Sequence, residues 1–394
     1  MPLTNADKQE HGQSAQKGMN EILKRCKEAG YIIGSIKKYR TGREGYNNSK
    51  QFYTPFVICF PDGSKWAVFT TTSMRTDRIK GQQWDAINLK EIDTHIRRVY
   101  LVYPDGVSEH EKSEFIRQNN KYVNHDEYSA IDGVISQNQI RNYIEEVGLS
   151  HLNDGQIRDR LGNDFEDRIA TILKYPENLQ KWKTNSPTLE GMHYDVFELI
   201  VSCLGINRQS ATVIDATSDK RTIGRLPSGG NPKTDVLVTV HFEDGTEKVY
   251  TISCKRTGEN YVSVHQYSAD SFADVLNSED NNLRTLLNEF QRCGNLRDFG
   301  NENKIALENA LAPYLEALSM WVLGGFGGEG SEKQCAQYIL TYNNNTDACS
   351  IFKTDDYYQN LVSKGVAGHF GTLFTWTYPS GRKGSSIQLK MRII

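Results

Sequence analysis

The sequence predicts an α/β (α+β) chain, with a mixed central sheet flanked by helices and a separate N-terminal α+β domain. Three observations point there. The 394 residues exceed one average domain, so two is the expectation. Helical spacings and strand-like runs are interleaved along the chain. Between Asn231 and Lys255, the β-branched runs DVLVTVHF and VYTISCK flank Asp244-Gly245, a tight-turn pair, so this segment reads as a β-hairpin.

Taken in order, Met19, Ile22, Leu23 and Cys26 fall at helical spacing and Gly30 stops the pattern. Phe52–Phe60 and Lys65–Thr72 read as strands around a Pro61–Ser64 turn, and Val99–Val102 as a third. Ser108 with Glu111 caps a helix to about Gln118. Residues 1–120 therefore form the N-terminal domain, with DNA binding or dimerisation as its expected role. The polar stretch 119–135 reads as a linker, and Ser136 with Gln139 caps a short helix, so 121–150 is linker and short helix.

Residues 151–394 form the second domain. A helix starts near Asp154 and runs past Glu166, with Ile157, Leu161, Phe165, Ile169 and Ile172 as its buried stripe. His193–Leu204, Leu283–Phe290 and Ile305–Trp321 also read as helices. Tyr338–Tyr342 pairs with Ala348–Lys353, and Gly371–Tyr378 with Ser385–Ile393. Gly325–Gly330 matches G-x-G-x-x-G but follows a helix, so it reads as a turn and not a dinucleotide site. No internal sequence repeat appears.

Seven scattered cysteines without a CxxC pair exclude a zinc ribbon or disulfide framework and fit a reducing cytoplasm. No apolar run is long enough for a membrane span, so a cytoplasmic location is expected. A net charge of −3 excludes a uniformly basic protein but not local DNA-binding patches. Such patches lie at Lys37–Lys50, at Arg75, Arg78 and Lys80, and near the C-terminus with Arg382, Lys383, Lys390 and Arg392. The segment TTSMRTDRIKGQQWD suits nucleic acid and equally suits a domain or dimer contact.

The hairpin carries the chemistry. Its turn sets Asp235 across from about Cys254, and Ser253 and Lys255 share one strand face. Hydrolysis of a phosphodiester needs a divalent metal and a cation near the nucleophile. Asp235 and the Cys254 carbonyl offer oxygen to Mg²⁺, and Lys255 can orient the attacking water. Glu166 or Glu198 can add a helical acid. Pro61-Asp62 with Thr71-Thr72-Ser73 outlines a second hairpin of this kind, with hydroxyls in place of the acid and lysine.

The spacing T-D-x17-S-x-K resembles the PD-(D/E)XK nuclease motif. Ser253 departs from the usual acid, and MspI/HinP-type type II restriction endonucleases depart there too, with Asn or Gln. GNDFEDRIATILKYPENLQKW resembles that family's first helix, KRTGENYVSVHQYSADSF its DNA-reading segment, and GHFGTLFTWTYPSGRKGSSIQLKMRI its closing strands. The resemblance spans roughly residues 150–394. It implies a restriction-endonuclease-like fold and Mg²⁺-dependent hydrolysis of both strands of a short specific double-stranded DNA site, leaving 5′-phosphate and 3′-hydroxyl ends. A G/C-rich palindrome such as CCGG or GCGC would be the target. Asp235, Cys254 and Glu166 would hold the metal, Lys255 would assist the water, and Ser253 would arrange the water shell. Ser263, His265 and Gln266, read as polar tips, would contact DNA with Arg382 and Lys383. A structure-selective repair nuclease and a non-cutting DNA-binding protein are the rival readings, and a homodimer is left open.

Overall fold

Thr4, Ser108 and Ser136 each open a helix by one device. The hydroxyl accepts the backbone N–H three residues on, and the residue there (Asp7, Glu111 or Gln139) returns the bond to the cap N–H. The computed structural model describes residues 4–41, 52–73, 75–125, 128–150, 154–379 and 384–394. The chain forms two compact units. One comprises Met1–Asp164, Thr171–Val201 and Asn207–Ser210, the other Phe165–Ala170, Ser202–Ile206 and Ala211–Ile394.

The first unit begins with α1 (Asn5–Glu28), β1 (Gly34–Thr41), β2 (Phe52–Cys59), β3 (Lys65–Thr70), α2 (Thr76–Ile92) and β4 (Ile96–Tyr103). Then follow α3 (Glu109–Asn119), β5 (Gly133–Ser136), α4 (Gln137–Leu149), most of α5 (Asp154–Lys174), α6 (Pro176–Thr184) and most of α7 (Tyr194–Cys203). Its sheet runs β1-β2-β3-β4-β5, antiparallel as far as β3 and parallel beyond. Phe69, Leu89, Val99, Leu101, Phe115 and Val134 pack in its core. The 119–135 stretch is not a free linker. It holds a π-helical turn at Asn120–Asn124 and enters the sheet as β5, whose Val134 N–H donates to Asn119 Oδ1. The segment after Ser73 is the start of α2. Gln83 there bonds the 122–131 backbone, so that amide is structural.

The second unit holds β6 (Ala211–Thr217), α8 (Lys220–Ile223), β7 (Val236–Phe242), β8 (Glu247–Thr257) and β9 (Tyr261–Tyr267). Next come α9 (Ala269–Asn277), α10 (Asn281–Cys293), α11 (Leu296–Phe299), α12 (Asn301–Leu311) and α13 (Leu315–Gly324). β10 (Tyr338–Asn343), β11 (Ala348–Lys353), α14 (Thr354–Ser363), β12 (Thr375–Thr377) and β13 (Ile387–Arg392) complete it. The main sheet runs β6-β7-β8-β10-β11 and is parallel only between β8 and β10, so it is mixed. β12-β13-β9 form a smaller sheet. Phe272, Phe290, Trp321, Phe374 and Trp376 dominate the core. Ile305–Trp321 is two helices, not one, because Pro313 lacks the N–H that a continuous helix needs there. No helix among the described residues is long and apolar enough to cross a membrane.

Candidate active site

The hairpin register places the site. Val236 pairs with Ile252, so Asp235, one residue earlier, stands opposite Ser253 and not Cys254. Its carboxylate is saturated on one oxygen. Ser253 Oγ, the Cys254 N–H and Lys255 Nζ all donate to Asp235 Oδ2, at 3.1, 2.8 and 2.9 Å. Lys255 Nζ also donates to the Cys254 carbonyl at 3.1 Å. From α5, Glu166 joins the cluster through Lys220, whose Nζ lies 2.8 Å from Glu166 Oε2 and 3.5 Å from Asp235 Oδ1. Lys220 opens α8, a four-residue turn capped by Asp219.

The charges tune one another. Burial pushes Glu166 up and adjacent Asp235 adds to it, so the carboxyl rises to about 7 despite Lys220. Burial also works to raise Asp235, but Lys255, Lys220 and the Cys254 N–H outweigh it and hold that carboxyl below its ordinary range. Burial opposes the charge on Lys255, yet Asp235 holds its pKa above normal. Lys233 is half-buried, donates to the carbonyls of Val264 and Val322 at 2.5 and 2.6 Å, and is driven down to about 7 by burial of its ammonium and by Lys255.

The donors fit a hard divalent cation. Lys220 shows that one cation reaches both carboxylates, and the Cys254 carbonyl lies on the same strand end. Two carboxylates and a backbone carbonyl are the oxygen ligands that Mg²⁺ takes.

A family model described as restriction endonuclease MspI matches residues 140–391, well over half of the chain. The chain belongs to the MspI restriction endonuclease family. It is therefore a type II restriction endonuclease, an enzyme that acts on DNA. It is 28% identical over 403 residues to the type II restriction enzyme BsuFI of Bacillus subtilis, covering 99% of each chain. It is 27% identical over 250 residues to the type II restriction enzyme MspI of a Moraxella species, covering 61% of this chain and 93% of that one. The crystal structure of MspI with its cognate DNA matches with a TM-score of 0.53 at 23% identity, over 64% of this chain and 98% of that one. That likeness shows the restriction-endonuclease fold over this share of the chain.

Within this MspI-family enzyme the sequence-predicted residues take different places. Asp235, Ser253, Cys254, Lys255 and Glu166 come together. Glu198 is exposed and takes a hydrogen bond from Tyr194, so Glu166 is the acid beside the hairpin. Ser263 and Gln266 are exposed on β9, and Gln266 donates to Ser386. His265 is a correction. It is no polar tip but a buried ring among Tyr267, Phe272 and Trp321, with centroids 4.4, 5.3 and 4.1 Å away. The register of β9 against β13 shifts between Ser263 and His265, so the ring leaves the exposed face of Ser263 and turns inward, and burial and Lys233 hold its pKa well below normal. Arg382 and Lys383 lie outside the described residues. Arg75, Arg78 and Lys80 are exposed at the start of α2.

Lys220 and Lys233 were missed. Lys220 lies 15 residues before Asp235 with no motif around it, and only the path of the 218–235 loop returns it to the site. Lys233 is part of the P-K-T-D run before the hairpin, where a lysine two residues from the acid was the available signal.

Proposed function

We propose that this enzyme hydrolyses both strands of a short specific duplex site in a Mg²⁺-dependent reaction that leaves 5′-phosphate and 3′-hydroxyl ends. The observation that carries the reading is Lys255 Nζ bonded to both Asp235 and the Cys254 carbonyl, on the strand end that Glu166 adjoins. Asp235, Glu166 and the Cys254 carbonyl would hold the metal. Mg²⁺, when bound, supplies positive charge to the reacting phosphate and makes water more acidic. Lys255 orients the attacking water and stabilises charge on the phosphate. Ser253 keeps the Asp235 carboxylate in place through its hydroxyl. Water adds to phosphorus, the bond to the 3′-oxygen breaks, and that oxygen leaves with a proton. Two strands require two passes of one site or a second site from a second copy of the chain.

The test is a digest of unmethylated phage DNA with Mg²⁺ or with EDTA, followed by sequencing of the ends. Discrete fragments that require the metal and share one short G/C-rich sequence, such as CCGG or GCGC, are expected. Cutting only at nicks, flaps or mismatches would assign a repair nuclease instead. Tight binding without products in Mg²⁺ or Mn²⁺ would assign a non-cutting binder.

A further inference from the structure

The first unit repeats the layout of the second. A helix, three antiparallel strands, a helix and a parallel fourth strand follow one another from α1 to β4. In the second unit, β6, β7, β8 and β10 have the same order and directions. The hairpins agree residue by residue. Phe60 N–H donates to the Ser64 carbonyl and Gly63 N–H to the Phe60 carbonyl, both at 3.0 Å. Phe242, Thr246 and Gly245 make the same two bonds, also at 3.0 Å. Asp62 accepts from Ser64 at 2.9 and 2.7 Å, and Asp244 from Thr246 at 2.9 and 2.6 Å. Gly63 and Gly245 hold φ of 82° and 80°, left-handed values suited to glycine. Setting Phe60 on Phe242 shifts the numbering by 182, and all four β2–β3 pairs then fall on β7–β8 pairs, from Phe56↔Val68 on Val238↔Tyr250 to Cys59↔Lys65 on His241↔Glu247.

This register corrects the sequence reading of the second hairpin. Asp62 corresponds to the turn residue Asp244, not to Asp235. The positions of Asp235, Ser253, Cys254 and Lys255 are held by Tyr53, Thr71, Thr72 and Ser73. No carboxylate and no ammonium stands in that set. The buried Thr71 hydroxyl instead closes on the chain just past β3, accepting the Ser73 N–H at 3.1 Å and donating to the Ser73 carbonyl at 3.2 Å. Without an acid ligand and a lysine, metal-assisted hydrolysis has no support at this edge.

What the edge does carry is positive charge. Arg75 lies two residues past Ser73, within about 7 Å of chain, and Arg78 and Lys80 follow on α2, all three exposed. Arg75 is shared with Asp77, while no salt bridge holds Arg78 or Lys80 among the described residues. In the second unit the same strand end carries the catalytic cluster, where a DNA phosphate must come. We infer that the N-terminal unit is a second, non-cutting copy of the nuclease fold that grips the DNA backbone at this edge through Arg75, Arg78 and Lys80. The inference rests on the proposed nuclease reading only for the identity of the ligand, duplex DNA.

The experiment uses the whole chain. The triple variant Arg75→Ala, Arg78→Ala, Lys80→Ala is compared with the parent for binding to a cleavable duplex in Ca²⁺ across a salt series. Each lost phosphate contact removes about 0.9 from the slope of log affinity against log salt, so flattening by about two to three is expected. Circular-dichroism melting and mass in solution should stay as in the parent. An unchanged slope overturns the inference, and an unchanged slope with a lower mass assigns the face to self-association. A second arm incubates full-length Asp235→Ala with supercoiled plasmid and Mg²⁺, where no nicking is expected. Nicking abolished by adding Thr71→Ala and Ser73→Ala would show that the N-terminal unit cuts. Nicking that persists in that combination would condemn Asp235 as the catalytic acid and leave the salt-slope result standing.

Discussion

Lys220 Nζ lies 2.8 Å from Glu166 Oε2, so a short turn of the 218–235 loop supplies the counter-charge for the acid of a long helix. The same ammonium reaches Asp235 at 3.5 Å, which makes it a rival of any metal ion for both carboxylates. Lys220→Met should therefore bind Ca²⁺ about tenfold more tightly, a change of about 1.4 kcal/mol. In EDTA it should melt below the parent, because Glu166 then loses its ion pair beside Asp235, which keeps Lys255. Calorimetric titration with Ca²⁺ and a thermal melt check both arms. Weaker Ca²⁺ binding would show that Lys220 supports the site rather than competing for it.

Asp235→Ala and Lys255→Ala should each lower cleavage by about a thousandfold or more, since one removes the central carboxylate and the other the cation bonded to it. Site-specific binding in Ca²⁺ should survive in both. Initial rates on a fixed plasmid, with a gel-shift in parallel, separate the two effects. Full activity in either variant would remove that residue from the site.

Ser253 contributes one hydroxyl hydrogen bond to Asp235 at 3.1 Å. A bond to a charged group is worth about 1.5–3 kcal/mol, so Ser253→Ala should slow cleavage by about ten- to a hundredfold, less than Asp235→Ala. Ser253→Asn should keep measurable activity, because an amide can donate to the same carboxylate. Rates for the two variants under one set of conditions decide this, and complete loss in both would give Ser253 a direct part in the reaction.

The two helical acids should separate cleanly. Glu166→Gln is expected to reduce cleavage strongly, and Glu198→Gln to leave it within about twofold of the parent, as exposed changes away from a site usually do. Single-turnover rates at saturating enzyme make the comparison.

Asp93 staples the first unit. Its carboxylate accepts from Lys65 at 2.8 Å and from Tyr39 at 3.1 Å, joining the end of α2 to β3 and β1. Burial works to raise its pKa, but Lys65, the His95 N–H and Tyr39 outweigh that and hold it low. A depressed carboxyl stabilises the fold above its unfolded pKa, and that stability is lost as pH falls through the folded value. Asp93→Asn should thus cost about 1–2 kcal/mol at pH 7, with the gap to the parent closing once pH falls below about 4. Urea melts at several pH values read this directly, and a gap independent of pH would assign the loss to packing.

Much of the Asp235–Lys255 hairpin was legible without coordinates, because its rules are local. β-Branched runs, an Asp-Gly turn and a side-chain period of two bring Asp235, Ser253 and Lys255 to one strand end within about ten residues of the turn. Capping pairs such as Ser108 with Glu111 and Ser136 with Gln139 are local in the same way, and both helices start where those pairs stand. Tertiary structure alone decided the rest. The choice of Glu166 over Glu198 follows from which helix face meets the hairpin, and either acid satisfies helical spacing. Lys220 is drawn in by the closure of a loop that carries no periodic signal. His265 looked like a polar tip beside Ser263 and Gln266, yet a register shift in the pairing of β9 with β13 turns it against Trp321. The likeness of the two units is nearly invisible in sequence, where it survives as Phe-Pro-Asp-Gly-Ser beside Phe-Glu-Asp-Gly-Thr. A hairpin register depends on its turn and on apolar alternation, which many sequences supply, whereas catalysis depends on single side chains that can be replaced without disturbing the ladder.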